Sequence, residues 1–146
     1  MIGSNDRPDD FVVGHNKSII NYGITKTENG YSYESMEYPA TDMVILERAR
    51  AKLEIKAIKQ RAAIEAKLPV TIDGVTYNGG DTSASAIFGA VSLAQAQGLT
   101  TVTIWDINNV NAEYTIEQGM LIAATIGNAY AQVMYARNEA IKNVLN

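Results

Sequence analysis

Hydrophobic and polar positions change rhythm several times along the chain. The first eighteen residues mix Asn, Asp, Gly and Pro8 around a short Phe11-Val12-Val13. So little apolar content cannot offset the ordering entropy of a free segment, so residues 1–18 are expected to form a flexible arm that docks on a partner. Strand-like alternation follows. Tyr22 to Thr27 and Tyr31 to Tyr38 flank Asn29-Gly30, a strong short-range signal for a hairpin turn, which predicts a β-hairpin over residues 19–40. Two strands alone are marginal in water, so this hairpin must pack on something. Alternation places Tyr31 and Tyr33 on one face of the return strand, suited to a neighbouring protein and, less often, to a sugar.

Pro39 closes the strand, and Thr41 or Asp42 can cap a helix that runs to about Lys67 before Pro69, a connecting segment over residues 41–68. Its apolar residues form two stripes. Leu46, Ala49, Leu53, Ala57 and Ile64 follow one face, and Ile55, Ile58 and Ala62 another, so the helix should touch neighbours on two sides.

Residues 69–146 read as a small α+β domain. Val70 to Tyr77 is a hairpin around Asp73-Gly74, and a helix starts at Asp81, Thr82 or Ser83. That helix has no charge from Ser83 to Gln97, which predicts burial on most of its circumference, and Gly98 sits where a C-terminal cap belongs. Thr101 to Ile107 and Val110 to Tyr114 form a second hairpin across Asn108-Asn109. Thr115-Ile116-Glu117-Gln118 is a capping box opening a helix of about 30 residues, ~45 Å long. Spacings of three and four align Ile116, Met120, Ala123, Gly127, Tyr130, Met134, Arg137, Ile141 and Val144. The far half of such a helix exceeds what its domain can cover. Met120, Ala123, Gly127, Tyr130, Met134 and Ile141, with Tyr31 and Tyr33, are therefore the candidate interface between copies.

The fold class is thus α+β: an N-terminal hairpin, a long connecting helix, and a C-terminal domain of two hairpins and two helices. Composition agrees with a folded chain, since 47% of the 146 residues are hydrophobic and 19% charged. Charge is segregated. Residues 47–67 carry seven Lys and Arg against three Glu, within a chain of net charge −4. Acidic flanks would repel a phosphate backbone, so the basic segment reads as a solvated helical face, not a nucleic-acid footprint. No apolar run approaches the ~20 residues of a membrane-spanning helix, and the first residues lack a secretory or myristoylation pattern, so the chain is expected to stay in the cytoplasm where it is made.

Several residues carry a resemblance. Tyr77-Asn78-Gly79, the Ser-rich helix entry, Ile87-x-x-Ala90-Val91, Ile104-Trp105-Asp106-x-x-Asn109, the Thr115 cap and the long Ala-rich terminal helix follow one another in order. This order resembles a domain-of-unknown-function family found at the ends of short phage and prophage tail proteins. The Arg48-Ala49-Arg50-Ala51-Lys52 helix looks like the charged helix leading into that domain. Tyr22 to Lys26 is similar to openings of small phage tail proteins. The resemblance implies a virion tail protein, made in the host cytoplasm, acting as a homo-oligomeric connector or fibre-attachment component. It also implies other tail or fibre proteins as partners and a trimer in preference to a dimer. A non-virion tail-fibre assembly chaperone and a small glycan-binding module at the tail tip are the alternatives.

Chemistry is sparse. There is no Cys, and His15 is the single histidine, placed in the polar arm. No phosphate-binding, dinucleotide or zinc-protease motif occurs, and Asp106 to Asn111 begins like a calcium loop but offers Val110 where an oxygen ligand is needed. No catalytic residue, cofactor or metal site is assigned. Asp6, Asp9 and Asp10 read as solvated acids. Trp105 is either a platform for a base or sugar or a core aromatic; the uncharged helix beside it favours the core.

Overall fold

A computed structural model describes residues 1–146, which divide into two compact units: residues 1–61 with 139–146, and residues 62–138.

The first unit holds β1 (Ile2–Ser4), β2 (Phe11–Val13), β3 (Ser18–Thr27), β4 (Gly30–Tyr38) and the greater part of α1 (Met43–Glu65). The sheet is antiparallel with order β1-β4-β3-β2. This overturns the expected arm, because residues 1–18 supply both edge strands. Apolar content underestimated them; polar contacts made by residues far along the chain hold them. Asn21, buried, donates from its amide to the Asp9 carbonyl at 2.7 Å, and its backbone N–H reaches the Asp10 carbonyl at 2.9 Å. From α1, the Arg50 guanidinium bonds the Asn21 carbonyl at 2.9 Å and pairs with Asp10 at 3.2 Å and Glu54 at 3.0 Å. Asp10, read as a solvated acid, is thus an ion-pair partner. Tyr31 and Tyr33 lie on β4 opposite Ser4 and Ile2, half-buried, so their strand edge is already covered.

The β3–β4 turn is displaced by one residue from its expected place. Thr27 pairs with Gly30, so Glu28 and Asn29 form the turn and neither has positive φ. Gly30 itself opens β4 at φ 138°, where any Cβ would collide with the Ser4 carbonyl oxygen. Asp42 caps α1 by accepting the Ile45 N–H at 3.1 Å. The first apolar stripe of α1 forms the unit's core: Leu46 and Ala49 bury against Ile20, with Phe11, Tyr38 and Leu53 around them. Ile64 departs from that stripe and is exposed.

The second unit contains β5 (Val70–Ile72), β6 (Val75–Tyr77), α2 (Asp81–Ala96), β7 (Thr101–Trp105), β8 (Asn111–Thr115) and most of α3 (Ile116–Leu145). Local chemistry fixes its corners. Asp73 and Gly74, at φ 50° and 79°, make the tight β5–β6 turn. Gly80, not a side chain, occupies the position before α2. At the other end Gly98 N–H reaches the Gln95 carbonyl and Leu99 N–H the Ala94 carbonyl, the paired bonds of a glycine-terminated helix. The expected capping box is present: Thr115 and Gln118 exchange bonds of 2.9 and 3.1 Å.

The core gathers Tyr77 from β6, Ala84, Val91 and Ala94 from α2, Val102 and Ile104 from β7, and Ile122 and Ile126 from α3. Only one side of α2 enters it. Ser85, Ala86, Phe88, Gly89, Ala90 and Leu93 are exposed, so an uncharged helix is not here a surrounded one. Along α3 the buried positions are Gly119, Ile122, Ala123 and Ile126, one residue removed from most of the expected stripe. Residues 139–146 belong to the first unit, where Ile141 is half-buried and Leu145 is exposed. No helix of the chain is long and apolar enough to cross a membrane.

Candidate functional site

Two recesses flank α2 within the second unit, one against β7 and one against α3. The first is built on strand alternation. Val102 and Ile104 point into the core, which sends Thr101, Thr103 and Trp105 to the outer face. Trp105 is 55% exposed, contrary to the core position expected for it. The reason lies in α2: its core side is filled by Val91 and Ala94, leaving no space that an indole must fill. Opposite on β8 stand Asn111, paired with Trp105, and Glu113, paired with Thr103. The indole therefore sits on an otherwise hydrophilic strand face.

Several bonds hold that end of β7. Asp106 accepts the N–H groups of Asn108 at 2.8 Å and Val110 at 3.0 Å, and Asn109 takes φ 59°. The Asp106 carboxylate thereby serves the turn, the role the Asn-rich sequence suggested in place of a calcium loop. Ile107 N–H donates to the Thr76 carbonyl at 2.9 Å, docking β6 beside the turn. Next to it, Tyr77 and Tyr114 share a hydroxyl–hydroxyl bond of 2.6 Å. Burial, reinforced by that bond, holds the Tyr77 phenol well above its ordinary pKa. Between β6, α2 and β7 lies a recess of about 320 Å³, lined by Trp105, Ala86 and Ala90 among others, with Asn78, Ser83 and Thr103 among its polar residues.

The second recess, of about 400 Å³, runs between α2 and α3 and is lined by Ala84, Ser85, Phe88, Met120, Ala123 and Ala124. Phe88 is 53% exposed at its edge. Here the candidate interface residues separate. Met120 opens onto this groove while packing against the core, and Ala123 is buried. A Cβ on Gly127 would lie 3.7 Å from that of Ala84, so at this position α3 packs closely on α2 of the same chain. Tyr130 and Met134 line a different cavity with Ala63, Ala66 and Gly79. Ile141, Tyr31 and Tyr33 lie in the first unit and join neither recess. His15 is exposed in the turn between β2 and β3, and no three His, Asp or Glu side chains gather anywhere.

A family model described as a domain of unknown function, DUF4376, matches residues 47–146. The chain belongs to the DUF4376 family. The family region thus takes in most of α1 as well as the elements from β5 to α3. No curated protein and no solved structure matches the chain. Both recesses lie inside the DUF4376 region. Of the two residues that define them, Trp105 stood in the sequence as either a platform or a core aromatic with the core favoured, and Phe88 was not singled out. The polar companions Thr101 and Thr103 were the signal for the exposed alternative of Trp105. For Phe88 it was the absence of charge on α2, which fits an uncovered contact face as well as a buried one.

An exposed indole has a direct signature. Trp105 is the single tryptophan, so its emission is expected to be red-shifted and strongly quenched by acrylamide. Trp105→Ala should cost about 1 kcal/mol, against about 3–5 for a buried ring. A blue-shifted, unquenched spectrum would place the ring back in the core.

Proposed function

We propose that this DUF4376 protein is a non-enzymatic structural component of a phage tail, a homo-oligomeric connector or fibre-attachment part made in the host cytoplasm and carried in the virion. The resemblance of residues 69–146, with the Arg48–Lys52 helix and Tyr22 to Lys26, supports the phage context. The observation supporting assembly is the uncovered α2 flank, where Phe88 stands beside the small residues Ser85, Ala123 and Ala124 with no charge among them. Burying such a groove and a large aromatic stabilises association, and small side chains allow close approach of another helix. A trimer fits the threefold character of fibre-associated parts, with other tail or fibre proteins as further partners.

Mass spectrometry of purified virions tests the tail assignment. Stoichiometric peptides from this chain are expected; peptides confined to infected-cell lysate would overturn it in favour of an assembly chaperone. Light scattering tests the interface separately. The wild-type chain should exceed the monomer mass, and Phe88→Glu should return it to monomer without loss of helix signal, because Phe88 is half exposed within its own chain. A wild-type monomer at high concentration, or an unchanged mass for the variant, would remove the interface from this groove.

A further inference from the structure

The geometry points to a binding site for a neutral pyranose ring in the recess between Trp105, Asn78 and the first half of α2. The recess, about 320 Å³, is of the size that takes one sugar ring with its substituents. Its lining includes an indole more than half exposed together with Ala86 and Ala90, whose short side chains leave the recess open. A pyranose has a face of aliphatic C–H groups, which stacks on an aromatic surface, and a rim of hydroxyls, which needs donors and acceptors. Those are present. Asn78 brings an amide, and Ser83 and Thr103 bring hydroxyls.

Charge narrows the ligand class. None of the residues lining the recess is charged, so an amino acid or a sialylated sugar would leave its ionised groups unpaired. Nucleotides would also stack on an indole. Residues 62–138, however, carry six carboxylates against Lys67 and Arg137, a field that repels phosphate. Neutral hexoses and N-acetylhexosamines meet both conditions. The platform is held in place before any ligand arrives, because the Asp106 turn and the Ile107–Thr76 bond fix the end of β7. One ring in an open recess of this kind binds with a dissociation constant on the order of 1 mM, and several copies side by side would raise the avidity.

A printed array of neutral and acidic oligosaccharides, read with the labelled full chain, tests the site, followed by titration of each retained sugar against ¹⁵N-labelled protein. The single indole N–H gives one resonance, which reports on Trp105 alone. Neutral sugars are expected to be retained and to shift that resonance. Trp105→Ala should weaken retention at least tenfold and Asn78→Ala about fivefold, with both variants still folded and of wild-type mass. No retained neutral sugar, retention of acidic sugars only, or retention unchanged in Trp105→Ala would each overturn the proposal. So would an indole resonance that moves with protein concentration and not with sugar, since a second copy would then cover the ring.

Discussion

Tyr77→Ala is expected to unfold residues 62–138. Tyr77 is 2% exposed and is the largest side chain of that core, reached by residues from both hairpins and both helices. Deleting a buried aromatic ring costs about 3–5 kcal/mol, a large part of the 5–15 available to a domain. Loss of the cooperative urea transition, or its shift to a far lower midpoint, is the expected readout; a midpoint close to wild type would mean that the ring is not central. Tyr77→Phe separates the hydroxyl from the ring. It should cost about 1 kcal/mol, because it strands only the half-buried Tyr114 hydroxyl.

The same pair sets a pH dependence. Burial raises the folded-state pKa of Tyr77 above the unfolded value of about 10. Below that pH the phenol is neutral in both states, and its stabilising contribution is fully present. As pH rises past about 10 the unfolded state loses a proton that the folded state keeps, so stability falls toward the raised folded value. Tyr77→Phe should therefore flatten the alkaline limb relative to wild type in urea titrations at several pH values. Parallel limbs would show that the raised pKa has no counterpart in solution.

Gly119→Val is expected to be nearly as damaging, for the opposite reason. Gly119 is buried where α3 crosses the core, and a Cβ there would lie 2.8 Å from Cγ1 of Val102 and 2.8 Å from Cγ2 of Val91, both stiff β-branched side chains. Alanine already brings the Cβ that makes both contacts, so its gain of about 1 kcal/mol in helix propensity offsets only part of the strain. Valine adds two further carbons with no such gain, and overpacking of about 3 kcal/mol should follow. Gly119→Ala below wild-type stability, and Gly119→Val lower still, is the expected pair of thermal melts. Equal stability of both would mean that α3 can shift away from the sheet at little cost.

What the sequence by itself determined was whatever is decided within a few residues. The Thr115–Gln118 box, the Asp73-Gly74 turn, the cap at Asp42 and the glycine end of α2 all satisfy backbone groups locally, and each stands where its residues announced it. Element type followed from period, giving the α+β order with its long final helix. Decisions about which face is covered needed the tertiary structure. Residues 1–18 became edge strands because β4 pairs with β1 and β3 with β2, while Asn21 and Arg50 bind Asp9 and Asp10 between those two strands. Trp105 faced outward, and α2 left Phe88 uncovered, because two hairpins and two helices have one interior between them, already filled by Tyr77, Val91, Ile104, Ile122 and Ile126. Composition reports that a surface is apolar; only packing shows whether the chain itself covers it, and the two recesses lie where it does not.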